Sequence, residues 1–244
     1  MRRILSLVFL TITAVFLSGC LLKRLLVVKG QLNAFDKNFT VTKLPGDGFC
    51  IGFKNPVLLS SDVDLIAGCK ATSLLKDDSA VRSLLFLLEK EKGKKEEIPV
   101  RVDFIKKGSE PKLEKVFIPE KLAKIISSDL IIQCMKSGAT SKRNLMQRNV
   151  TVRLNDINFN LLPDRAEIRN ILGNPAEGEE GKFDYLYKYK VASAEPDKNS
   201  NPSVSIKISF YKDKPERIQH LSLRYRTALI DVDISAKKAV LQLI

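Results

Sequence analysis

The chain has 244 residues, 44% of them hydrophobic and 28% charged, which excludes intrinsic disorder and leaves room for two ordinary domains. Lys and Arg number 41 against 28 Asp and Glu, a formal charge of +13 that suits nucleic acid, an anionic membrane or an acidic protein. A single histidine excludes a metal centre built on several imidazoles, and four cysteines without a CxxC pair exclude zinc-finger spacing.

Met1-Arg2-Arg3 is a positively charged start, and Ile4 to Leu17 is an uncharged apolar run. It is shorter than the roughly 20 residues that span a bilayer. Ser18-Gly19 then places small residues before Cys20, as a secretory cleavage site requires. Leu17-Ser18-Gly19-Cys20 resembles the lipobox of bacterial lipoproteins. The resemblance implies cleavage between Gly19 and Cys20, a diacylglyceryl thioether on the Cys20 sulfur and an acylated amine. Residues 1–19 then form a signal peptide and 20–38 a lipidated tether. Lys23 and Arg24 interrupt the apolar stretch that continues to Val28. They would cost about 2.5–3.5 kcal/mol each at the centre of a spanning helix, so they are expected as membrane-proximal bases. Leu21 follows Cys20 where inner-membrane lipoproteins of enteric bacteria carry Asp, and by that resemblance the address is the periplasmic face of the outer membrane. Export removes nucleic acid from the partners and turns the positive charge toward anionic headgroups or an acidic protein.

The mature chain repeats one order of elements. Phe39 to Thr42 alternates apolar and polar residues, Pro45 to Gly48 supplies a turn, and Phe49 to Phe53 returns, predicting a hairpin. Val150 to Leu154, Asn155-Asp156 and Ile157 to Leu161 predict a second hairpin. A short helix follows each. Ser60-Ser61-Asp62 runs to Gly68 with Val63 and Ile66 on one face, and Pro163-Asp164 runs to Gly173 with Ile168 and Ile171 in the same relation, 105 residues on. After an irregular stretch, Leu84, Phe86 and Leu88 match Phe183, Tyr185 and Tyr187, and Val100, Val102 and Phe104 match Ile206, Ile208 and Phe210. Closing strands are expected at Leu113 to Ile118 and Ile218 to Tyr225. Between the copies, Leu122, Ile126, Leu130 and Cys134 at i+4 steps predict one amphipathic helix from Pro119 to Gly138, and Ala139 to Arg148 a linker. The fold class expected is therefore α+β, two tandem small antiparallel-sheet-plus-helix units joined by an amphipathic helix. The units are residues 39–118 and 150–244, the latter with a C-terminal extension, and 119–149 form the linking helix and linker.

Leu162-Pro163-Asp164 to Gly173-Asn174-Pro175, then Phe183 to Tyr187 and Ile206 to Phe210, resembles the SmpA/OmlA (BamE-like) family, small lipoproteins of the outer-membrane β-barrel assembly machine. The likeness covers Leu161 to Tyr225, and the first copy is a degenerate version. It implies a non-enzymatic adaptor whose partners are envelope proteins, barrel-assembly components among them. The tandem arrangement also resembles β-lactamase inhibitory proteins, which implies as an alternative a periplasmic binding or inhibitor module for a hydrolase.

Catalytic motifs are absent: there is no Gly-x-Ser-x-Gly elbow and no Walker loop. Catalytic residues, metal ligands and cofactors are expected to be none. His220 lies in a strand-like alternation and reads as structural, and the pairs Asp62/Asp64 and Asp231/Asp233 read as capping or solvated carboxylates. Tyr185, Tyr187 and Tyr189 share one face of a strand. They form either a core-facing row or an exposed binding platform. Cys50, Cys69 and Cys134, odd in number, allow one disulfide at most, buried thiols being the other reading.

Overall fold

The computed structural model describes residues 21–92, 96–140, 143–144, 149–154, 157–178, 183–192, 202–226 and 228–243. Cys20 and the apolar run before it lie outside these residues. Helix α1 covers residues 21–32, and α2 is Phe35–Asn38. The first half continues with β1 (Phe39–Lys43), β2 (Phe49–Phe53), α3 (Ser60–Ala67), β3 (Ser73–Asp77), β4 (Val81–Lys90), β5 (Glu97–Ile105) and β6 (Lys112–Ile118). Helices α4 (Glu120–Ala123) and α5 (Ser128–Thr140) and strands β7 (Arg143–Asn144) and β8 (Asn149–Arg153) follow. The second half has α6 (Arg165–Leu172), β9 (Asp184–Ala192), β10 (Ser203–Phe210), β11 (Ile218–Tyr225), β12 (Ala228–Asp233) and β13 (Lys238–Leu243).

The strands make one antiparallel sheet in the order β1-β2-β6-β5-β4-β9-β10-β11-β12-β13-β8-β7, with β3 on β4. This overturns the expectation of two small units joined by a helix. The joint is a ladder between β4 and β9, with Leu87 opposite Ala192 and Lys90 opposite Tyr189. It is possible because β3 pairs only with Arg82 to Leu85 and leaves the rest of that edge of β4 open. The Thr72 hydroxyl ties the junction, donating to the Ala192 carbonyl while accepting from Leu87 N at 2.9 Å.

Equivalent positions carry equivalent bonds in the two halves. Helices α3 and α6 are offset by 105 residues and end in Gly68 and Gly173, both at positive φ of 65° and 67°. Ser60 N bonds Pro111 O and Arg165 N bonds Glu216 O, the same offset again. The pairing slips between Asp103 and Phe104 against β6, and between Ser209 and Phe210 against β11, 106 residues on. Cross-strand register also corrects the alignment of the bulky triplets: Leu84 and Phe86 face Val102 and Val100 as Tyr185 and Tyr187 face Ile208 and Ile206. Leu84 therefore corresponds to Tyr185, not Phe183.

Each half also closes the other's helix. The carbonyl of Leu172, last in α6, accepts from Lys90 Nζ of the first half at 2.6 Å. The carbonyl of Ala67, last in α3, accepts from the Tyr225 hydroxyl of the second. Unpaired terminal carbonyls are thus satisfied across the joint.

Two further expectations fail locally. The helix from Pro119 to Gly138 breaks after Ala123, because Ser127 Oγ accepts from Leu130 N at 3.2 Å and starts α5 afresh. Ile157 to Leu161 contains a 3-10 turn, Phe159–Leu161, capped by Asn158, and no returning strand. Strand β8 pairs instead with β13 and β7. Of the expected linker, α5 claims Ala139 and Thr140, and most of the remainder lies outside the described residues.

Helices pack on one face of the sheet. Ile125, Leu130, Ile168 and Leu172 join the inward residues of β8–β13, and Val63 of α3 joins those of β4–β6 together with Leu21 and Val28 of α1.

Candidate functional site

Alternation along β9, β10 and β11 separates a core face from an open one. Tyr185, Tyr187 and Tyr189 are 2%, 0% and 0% exposed, so the tyrosine row faces the core and is not a binding platform. Tyr185 still receives a bond, from Arg165 Nε at 2.8 Å, with the guanidinium stacked over its ring and that of Phe210. The opposite face carries Lys188 and Lys190 of β9, Ser203, Ser205, Lys207 and Ser209 of β10, and His220, Ser222 and Arg224 of β11, none of them buried. Two shallow clefts lie on it. One, of about 620 Å³, lies among Asp184, Lys207, Ser209, Lys212 and His220, and the other, of about 320 Å³, among Lys188, Ser203, Ser205, Arg224 and Arg226.

His220 is more crowded by acid than its own strand suggests. Its Nε2 is 3.4 Å from Asp233 and its Nδ1 is 4.0 Å from Asp231, both brought across by the β11–β12 pairing. The Ser235 hydroxyl, at 2.6 Å, holds the Asp233 carboxyl below the usual carboxylate range. Ser209 is the cross-strand neighbour of His220, but its hydroxyl bonds Asp184 and holds that carboxyl low. The group therefore has a base and an acid without a nucleophile aimed at the base. Among the described residues no cluster of His, Cys, Asp and Glu could hold a metal ion. The alternate spacing of Asp231 and Asp233 was the available signal for this acidic pair, and only the hairpin register shows that it meets His220.

The membrane-proximal bases separate. Lys23 points outward, whereas Arg24 turns inward onto Asp62, with Nε and Nη2 each 2.5 Å from a carboxylate oxygen. Asp62 is 3% exposed and also accepts from Leu59 N at 2.8 Å, closing the first turn of α3. This pair was invisible in the sequence because 38 residues separate its members. Cys50, Cys69 and Cys134 are free thiols, and burial pushes the Cys134 thiol up to about 11. Among the described residues no helix is long and apolar enough to cross a membrane. No protein-family model, curated protein or solved structure matches this chain.

Proposed function

We propose that this chain is a lipid-anchored, non-enzymatic protein of the periplasmic face of the outer membrane, and that it holds a second envelope protein on the open face of its sheet. The observation that carries the reading is that face: the helices pack the core side of β8–β13, and the other side of β9–β11 is polar and unburied, with Lys188, Lys190, Lys207, Arg224 and four serines beside Asp184 and the Asp231–Asp233 pair. Hydroxyls and charges of both signs on a rigid sheet suit a polar protein surface. Leu17 to Cys20 supports the anchor, and the SmpA/OmlA resemblance of Leu161 to Tyr225 supports barrel-assembly components as the partner class.

A photo-crosslinking residue at Ser205, on the open face, is expected to trap one envelope protein in living cells. The same residue at Ile208, 0% exposed on the core face, is expected to trap none. Equal yields from both positions, or none from either, would overturn the assignment of this face. Capture of a soluble hydrolase would favour the inhibitor reading instead. For the anchor, Cys20→Ala is expected to abolish palmitate labelling and release the protein from membranes.

A further inference from the structure

We propose that the apolar surface formed by α1 and α3 is a second membrane contact, seated on the lipid surface and fixing the angle at which the sheet stands on it. This rests on the reading of Cys20 as an acylated residue. Helix α1 is apolar on both of its sides. Leu21, Arg24, Val28 and Gln31 face the protein, while Leu22, Leu25 and Leu26 face out, Leu22 being 56% exposed. A helix lying between a protein and water carries its leucines inward and its arginine outward. Here the arginine lies inward on a buried aspartate between Leu21 and Val28, and Leu22, Leu25 and Leu26 are left outside.

Helix α3 continues the same surface. Leu65, 60% exposed, and Ile66 stand three and four residues after Asp62, on the side that receives Arg24. The second half supplies the control within the molecule. At the positions equivalent to Leu65 and Ile66, α6 carries Asn170, polar and exposed, and Ile171, which packs against the core. Only the helix beside α1 is leucine-faced. Lys23, exposed beside Leu22, and Arg226, whose Nη1 donates to the Leu65 carbonyl at 3.1 Å, bring positive charge to the patch, which matches anionic headgroups.

The bilayer is the occupant because the proposed acylation site stands beside the patch. Leu22 is two residues from Cys20, so their Cα atoms are within about 7 Å of each other even in a fully extended chain. Acyl chains on Cys20 therefore deliver this face to lipid. With α1 clamped by the Arg24–Asp62 pair, the fold itself is held at the surface and does not hang from a slack tether.

The chain contains no tryptophan, so one introduced indole is a unique reporter. The full mature acylated protein is placed on phosphatidylethanolamine–phosphatidylglycerol vesicles with brominated acyl chains. Leu25→Trp and Leu65→Trp are expected to lose at least half their fluorescence, relative to unbrominated vesicles. Phe183→Trp, at the end of β9 away from the β4 joint, is expected to lose none. Adding Asp62→Asn or Arg24→Gln, either of which frees α1, is expected to restore the emission of Trp at 65 and leave that at 25 quenched; circular dichroism verifies the fold of each variant. Vesicle-bound, acylated protein with unquenched emission at both 25 and 65 would overturn the second contact and leave the anchor standing. Blue-shifted emission at 65 without vesicles, accompanied by doubling of the mass in solution, would assign the patch to a second copy and overturn it equally. An unacylated Cys20 by mass spectrometry would remove the anchor itself.

Discussion

Tyr187 and Tyr189 send hydroxyls into the core where neither finds a hydrogen-bond partner. A buried polar atom without a partner costs about 1–3 kcal/mol, so Tyr187→Phe is expected to raise stability by about 1 kcal/mol, measured by urea unfolding. Burial also pushes the ionisation of both tyrosines up, that of Tyr225 to about 12 and that of the Cys134 thiol to about 11. Below about pH 7.5 these groups are protonated in both folded and unfolded chains, and their contribution is fully present. At higher pH the unfolded chain releases its protons first, so stability falls as pH climbs toward the folded values. Lys90 has the opposite sign. Burial lowers its ionisation, so its contribution grows with pH in the same alkaline range. Burial raises the Cys50 and Cys69 thiols as well, so one base against six acids leaves a net loss, and the melting temperature is expected to drop above about pH 9, less steeply in Tyr187→Phe. Gly173 is a second sensitive position. A methyl group there would be strained at φ 67° and would strike Glu96 and Lys90. At Gly108 it would meet nothing within 4 Å, at φ 98°. Gly173→Ala is therefore expected to destabilise by more than the roughly 1 kcal/mol of the backbone effect alone, and Gly108→Ala by about that amount.

Helices α3 and α6 were legible because their ends are written locally, in Asp62, which takes the Leu59 N–H, or Asp164 at the start and in glycines that adopt positive φ at the close. Strands β1, β5, β9 and β10 were legible from apolar residues at alternate positions, and β2 from the turn at Pro45 to Gly48 that precedes it. Strand β3 was not: Ser73–Asp77 is exposed along its whole length and carries no period-2 pattern, so only its pairing with β4 defines it. The break between α4 and α5 was written in Ser127-Ser128-Asp129, an N-cap signal hidden inside an unbroken i+4 stripe. Ser127→Ala is expected to cost about 0.5–2 kcal/mol by loss of the bond to Leu130 N. The tyrosine row shows a general limit. Alternation says that three side chains share a face, and the face becomes core only because α4, α5 and α6 fold over it. For the same reason the acidic neighbours of His220 and the Arg24–Asp62 clamp lay beyond reach, since each depends on a pairing between distant segments.

Across the whole molecule, the joint decides cooperativity. Lys90 and Tyr225 close helices in opposite halves, and Thr72 bridges β4 and β9. Heat is therefore expected to unfold the described halves together, in one calorimetric transition. Lys90→Met, which leaves the Leu172 carbonyl without its donor, is expected to lower that transition without splitting it, at a cost of about 1–3 kcal/mol. Two resolved transitions would show that the halves melt independently. The joint in turn depends on arithmetic along a single edge. Strand β4 has ten residues and β3 has five, so half of that border is left vacant for the neighbouring half-molecule. Lengthening β3 by four alternating residues would fill the vacancy, evict β9, and turn one continuous sheet into two that end in raw, aggregation-prone margins.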